Sequence, residues 1–151
     1  MDFESETYKH SELTDAVICC FYSVYNILGY GFLEKVYENA LLLELRKRGI
    51  PAVSQFPINV SYSGEIVGEY FADILVGDSV LIEIKAVKNL VPEHSAQLLN
   101  YLKATEIEVG LLLNFGVEPQ LKRKAFDNHR KSPVAVQVPK SNRSQIKSEE
   151  A

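Results

Sequence analysis

Asp73 is followed ten residues later by Glu83-Ile84-Lys85. Both carboxylates and the amine fall in apolar, strand-like stretches, Ile74-Leu75-Val76 and Val80-Leu81-Ile82, from which charge is normally excluded. Burying a carboxylate is costly unless it is paired, protonated or bound to a metal. Two carboxylates on a divalent cation, with a lysine beside them, are the groups needed to direct water at a phosphodiester. Side chains alternate along a strand, so Glu83 and Lys85 share one face and Ile84 points to the other. If Gly77-Asp78-Ser79 forms a three-residue hairpin loop, Val76 pairs with Val80, and the same register sets Asp73 opposite Glu83. Opposed residues have Cβ atoms about 5 Å apart, and like charges there destabilise a sheet. A metal ion reverses the sign of that interaction, and hard oxygen ligands suit Mg²⁺ or Mn²⁺. On spacing alone, the same residues also fit a solvent-facing Glu83–Lys85 pair on an ordinary amphipathic hairpin, with Asp73 unrelated to it.

Two flanking helices carry further candidates. Glu34 and Glu38 are one helical turn apart, and the same stripe continues through Leu41, Leu42 and Leu45. Glu38 therefore sits at the edge of an apolar face. The plainer reading of Glu34 is that an acidic residue in a first turn complements the helix dipole. Downstream, His94, Gln97 and Tyr101 recur at steps of three and four. Gln97 can donate and accept hydrogen bonds, and Tyr101 can donate to a phosphate oxygen. The plainer reading is a polar helix face with Tyr101 half-buried.

The elements that must position these groups follow from periodicity. Leu13 to Leu28 repeats apolar residues at helical steps, with Ser11 or Thr14 as candidate caps. A second helix is expected from Phe32 to Lys47, closed by Gly49 and Pro51. Strands are expected over Val53–Tyr62, Ile66–Val76 and Val80–Val87. A helix follows from Glu93 to Thr105. Val109 to Phe115 is a continuous apolar run, which suits a strand buried on both faces. Gln120 to Arg130 reads as a short helix and Val134 to Val138 as an edge strand. The order predicts an α/β fold with a mostly antiparallel hairpin region joined by a helix to a buried strand. Residues 1–138 are expected to form a single domain, and the polar tail 139–151 to be disordered.

The bulk numbers agree with a folded domain. The chain has 151 residues, 46% hydrophobic and 24% charged, with a formal net charge of -4. That balance argues against nonspecific coating of nucleic acid, although a metal site itself contributes acidic residues. Cys19 and Cys20 are adjacent, a spacing that neither bridges nor binds metal, and read as buried, reduced thiols of a cytoplasmic protein. Met1-Asp2-Phe3-Glu4 opens no secretory leader. No apolar run approaches about 18 residues, so no membrane span is expected. Lys122-Arg123-Lys124 and His129-Arg130-Lys131 form a basic stretch, which reads first as a solvated helix face and second as a phosphate contact.

Asp73, Glu83-x-Lys85 and Gln97-x-x-x-Tyr101, behind a Glu-bearing helix, together resemble the PD-(D/E)XK nuclease superfamily. Gly31-Phe-Leu-Glu34-Lys-Val-Tyr37-Glu38 resembles more narrowly the GxxExxY proteins within it. The likeness runs from about Leu13 to Phe126, through Tyr70-Phe-Ala-Asp73, Leu81-Ile-Glu-Ile-Lys85, His94-Ser-Ala-Gln-Leu-Leu-Asn-Tyr101 and Gly110-Leu-Leu-Leu-Asn-Phe-Gly116. It implies a restriction-endonuclease-like αβββαβ core, a central mixed sheet flanked by helices. It implies that Asp73, Glu83, the Ile84 carbonyl and the Glu38 or Glu34 carboxylate hold Mg²⁺ or Mn²⁺. Lys85 would orient or deprotonate the attacking water. Gln97, Tyr101 and His94 would position substrate. One departure is Tyr25, where many GxxExxY proteins carry a histidine. The implied partner is nucleic acid, DNA before RNA, and a homodimer is one way to cut two strands. The alternative is a nucleic-acid-binding or interaction module of the same fold whose site does not turn over.

Overall fold

The computed structural model describes residues 9–132. Helix α1 (Ser11–Leu28) and helix α2 (Glu34–Lys47) precede three strands, β1 (Ala52–Tyr62), β2 (Glu65–Val76) and β3 (Val80–Lys85). Helix α3 (Pro92–Lys103), β4 (Val109–Phe115), β5 (Pro119–Ala125) and a 3₁₀ turn at Asn128–Arg130 follow. The five strands form one sheet in sequential order. Only β3 and β4 run parallel, and α3 is the crossover between them. The architecture is therefore a mixed sheet flanked by helices, as the periodicity and the resemblance lead one to expect.

Alternation in β3 and β4 divides the core in two. Val80, Ile82, Ile84, Val109, Leu111, Leu113 and Phe115 face α1 and α2, where they meet Val17, Cys20, Phe21, Tyr37, Leu41 and Leu45. Leu81 and Leu112 face the other way, against Leu98, Tyr101 and Leu102 of α3. Every residue of β4 is buried, which explains a run that is apolar apart from Asn114. Phe115 joins the layers on the first side. Its ring stacks on Tyr37 at 4.2 Å between centroids and meets Phe21 edge-on at 4.8 Å.

Several expectations are corrected. The segment expected as a helix over Gln120–Arg130 is strand β5 followed by the 3₁₀ turn. Gln, Leu, Lys, Arg and Ala are good helix formers, but β4 has an open edge, and β5 pairs with it along all seven residues, Val109↔Ala125 to Phe115↔Pro119. The basic stretch is accordingly not a helix face. Lys131 is buried and donates to the Thr105 and Ile107 carbonyls at 2.8 and 2.9 Å, and the Arg130 guanidinium lies 4.5 Å from the Phe126 ring centroid. Burial pushes the Lys131 amine down to about 8. Neither Ser11 nor Thr14 caps α1. Its N-cap is His10, in a left-handed conformation, and the Thr14 hydroxyl donates to the Ser11 carbonyl. Of the two cysteines, Cys20 is buried and Cys19 is exposed. The expected strand Val134–Val138 and the tail lie outside the described residues.

Gly116 closes β4 where the loop after β3 crosses it. A Cβ there would collide with the Val87 carbonyl oxygen and stand 3.3 Å from that of Lys88. Backbone cannot swing aside as a side chain can. Gly116→Ala should lower stability by about 1–3 kcal/mol, read as a shifted urea midpoint at unchanged slope. An unchanged midpoint would show that the loop is not held against β4.

Candidate active site

The β2–β3 hairpin pairs Val76↔Val80, Leu75↔Leu81 and Ile74↔Ile82, the register expected from the three-residue loop. There the ladder ends, and β2 continues paired with β1 alone. Across the resulting fork, the Ile84 amide donates to the Asp73 carboxylate at 2.7 Å. A side chain thus takes an amide that the neighbouring strand would otherwise accept. Asp73 and Glu83 meet in this fork, and Glu83 is 5% exposed. Burial, then the Asp73 charge and a side-chain hydrogen bond with it, push the Glu83 carboxyl up to about 9, while Lys85 acts in the opposite direction. The solvent-facing hairpin reading therefore fails for Glu83.

Glu34 and Glu38 separate in their surroundings. Glu34 is exposed at the start of α2, and its charge is among those acting on Glu83. Glu38 is 5% exposed and accepts from Gln55 Nε2 at 3.0 and 3.2 Å and from Lys35 Nζ at 3.2 Å. Tyr37, between them in sequence, is fully buried. Its hydroxyl donates to the Gly29 carbonyl at 2.6 Å and accepts the Phe32 amide at 3.1 Å. Gly31 has φ 114, a conformation that disfavours any side chain. Gly31 and Tyr37 thus fix the loop that launches α2 and set where Glu34 stands.

Helix α3 brings its polar face to the same region. Gln97 Nε2 donates to the Tyr101 oxygen at 2.8 Å. Burial and the Glu83 charge push the Tyr101 hydroxyl up to about 12, so it stays a proton donor at neutral pH. His94 has a structural partner: its Nδ1 accepts the Val91 amide at 3.1 Å, at the third position of α3. Tyr25 likewise serves the frame, its hydroxyl lying 2.7 and 2.6 Å from the Gly116 and Val117 carbonyl oxygens.

Two residues escaped the sequence reading. Gln55, which holds Glu38, has φ 57 inside a strand, and β1–β2 pairing skips it. Nothing in its sequence neighbourhood signals that. Asn114 is fully buried; its Oδ1 accepts the Val87 amide, and its Nδ2 donates to the Val87 carbonyl and to Gln120, each at 2.9 Å. Gln120 Oε1 also accepts the Leu90 amide at 3.2 Å. This clamp fixes the segment between Lys85 and α3. An asparagine inside the apolar run Val109–Phe115 was a readable signal, because a buried amide needs partners.

The donor set suits a hard cation. Among the described residues, no three or more His, Cys, Asp and Glu side chains group as a metal site. The Asp73–Glu83 pair is nevertheless the number of carboxylates that Mg²⁺ commonly takes, with water and phosphate oxygens completing its shell. A cation between them would also offset the burial and the Asp73 repulsion that raise the Glu83 carboxyl.

Among solved structures, the protein SSO0001 aligns with 13% identity and a TM-score of 0.46, over 96% of this chain and 65% of its own. An alkaline exonuclease from Laribacter hongkongensis aligns with 16% identity and a TM-score of 0.39, over 76% of this chain and 61% of its own. The chain thus spans less than two thirds of either protein. No curated protein matches it. The model of the PD-(D/E)XK nuclease superfamily matches residues 11–126, which include α1 through β5 and every site residue named above. The chain belongs to the PD-(D/E)XK nuclease superfamily.

Proposed function

We propose that this chain is a divalent-metal-dependent nuclease that hydrolyses phosphodiester bonds in DNA, using Mg²⁺ or Mn²⁺. The observation that carries the reading is the Asp73–Glu83 pair in the strand fork, with Glu83 buried and Lys85 two residues on. Superfamily members typically use divalent metals. The Gly31, Glu34 and Tyr37 pattern supports placement among the GxxExxY proteins.

In this reading Asp73, Glu83 and the Ile84 carbonyl hold the cation. A bound cation supplies Lewis-acid activation of water and charge neutralisation at the phosphoryl oxygens. Lys85 shares the strand face of Glu83 and orients the attacking water. As the water oxygen bonds to phosphorus, the phosphorus–oxygen bond to the leaving strand breaks. The Tyr101 hydroxyl, held through its oxygen by Gln97, donates to a phosphate oxygen. Glu34 is the better placed helix carboxylate, because its charge reaches Glu83, whereas Glu38 is occupied by Gln55 and Lys35.

A second reading, a nucleic-acid-binding module without turnover, draws on that same engagement of Glu38 and on the absence, among the described residues, of a third ligand grouped with the pair. Cleavage decides between them. Incubated with supercoiled plasmid and linear single-stranded DNA, the protein should cut with Mg²⁺ or Mn²⁺ and not with EDTA. Lys85→Ala and Asp73→Ala should each lower the rate by at least about 100-fold. Metal-dependent cutting that survives either substitution would reject the assignment, and salt-sensitive binding without cutting would favour the module.

The pair also makes a stability prediction. The folded Glu83 value lies above the ordinary carboxylate value, so its contribution favours the fold at low pH and is lost as pH rises through about 9. In EDTA, Glu83→Gln should therefore gain on the native protein as pH is raised from 5 to 9. Adding Mg²⁺ or Mn²⁺ at pH 8 should raise the melting temperature of the native protein and not of Glu83→Gln. Parallel pH profiles for the two proteins would show that Glu83 does not carry this strain.

A further inference from the structure

A cleft of about 570 Å³ opens between the sheet and α3, in the size range of small-ligand sites. Val60 and Tyr70 line it from the sheet, and Gln97, Asn100 and Tyr101 from the helix. Glu93 and Lys103 line it from the first and last turns of α3. The cleft continues into the site already described, because Tyr101 belongs to both, and the Glu83 and Asp73 charges act on the Tyr101 hydroxyl.

Tyr70 is the feature that this site leaves unexplained. It is 48% exposed, although it pairs with the fully buried Ile58. Its ring lies across Gly68, where a Cβ would come within 3.1 Å of Tyr70 Cε2. The ring is also tilted against Tyr101, with centroids 5.8 Å apart. It is thus held in place by a glycine below and a tyrosine beside, while much of its surface stays open. A restrained, half-open aromatic ring beside carboxamides is a stacking platform with hydrogen-bonding groups at its edge.

We propose that this cleft receives an unstacked nucleobase of the substrate strand, stacked on Tyr70, its edge facing the Gln97 and Asn100 carboxamides. The proposal rests on the nuclease reading and names the form of its substrate: a single strand, a frayed end or a flipped nucleotide. A base inside a duplex has both faces covered and offers none to Tyr70. Lys103, at the end of α3 away from Glu93, supplies a positive charge for a flanking phosphate. On a cleft whose surface is mostly apolar, the Gln97 and Asn100 carboxamides favour a base over an apolar side chain, since carboxamides read base edges in either sugar series.

The test uses the full chain in EDTA, which withholds the metal that the nuclease reading requires. Single-stranded oligothymidylate carrying one 2-aminopurine, its oligouridylate counterpart and a fully paired duplex are titrated with protein. Native protein and Tyr70→Phe should quench 2-aminopurine emission in a single strand and leave the duplex unquenched. Tyr70→Leu should abolish the quench and weaken binding about five- to hundred-fold. The deoxy and ribo arms identify the sugar. Gly68→Ala, which displaces the ring without removing it, should reduce the quench even where Tyr70→Leu fails to fold. Quenching by folded Tyr70→Leu equal to that of native protein would overturn the proposal. Cutting with Mg²⁺, run in parallel, separates the two readings. Metal-dependent cutting with no Tyr70-dependent quench rejects the base cleft and leaves the nuclease. A Tyr70-dependent quench without cutting supports the cleft and rejects turnover. Neither binding nor cutting by native protein rejects both.

Discussion

Two carboxylates meeting in a fork between strands constrain everything around them. A continuous β2–β3 ladder would set Asp73 and Glu83 directly opposite each other in a closed sheet. The strands part instead after Ile74↔Ile82, and Asp73 reaches across to the Ile84 amide. That bond fixes one carboxylate and leaves the other buried beside it. Burial and the neighbouring charge favour a proton on Glu83, and a cation between the two would offset the same cost. The apolar layers pack on both faces of β3 and β4 and keep Glu83 on a buried strand.

The remaining polar groups are framework for that fork. Tyr37 binds the α1–α2 loop and stacks on Phe115, so the start of α2 is tied to the end of β4. Asn114, one residue before Phe115, ties the loop after Lys85 to the same strand end. Both helices that face the fork are thus referenced to β4, the most deeply buried strand. The candidate site thus stands on a frame whose fixed point is interior.

Much of this was legible in the chain. Gly77-Asp78-Ser79 announced a tight loop, and a loop of known length dictates register, so the pairing of Val76 with Val80 was legible and brought Asp73 near Glu83, while the parting of the strands beyond Ile74↔Ile82 was not. The apolar run Val109–Phe115 announced a central strand for the same kind of reason. What escaped depended on partners distant in sequence. β5 is made of helix-favouring residues and becomes a strand only because β4 has an edge to satisfy. His94 lies on the same helical face as Gln97 and Tyr101, yet its ring caps the helix on which they sit. The left-handed Gln55 carries no local signature, since glutamine has no special tolerance for that conformation.

Gln55 has a consequence beyond Glu38. β1 is an eleven-residue strand, and in the order of the described strands it comes last on its side of the sheet. Such an edge invites another chain to add itself as a sixth strand. Two residues on from Gln55 stands Pro57, which has no amide hydrogen to offer. Between them, a left-handed kink and a missing donor interrupt the regular row of hydrogen-bonding groups midway along the edge. The residue that hydrogen-bonds a buried carboxylate therefore also breaks the regular backbone of β1, and one conformation serves both.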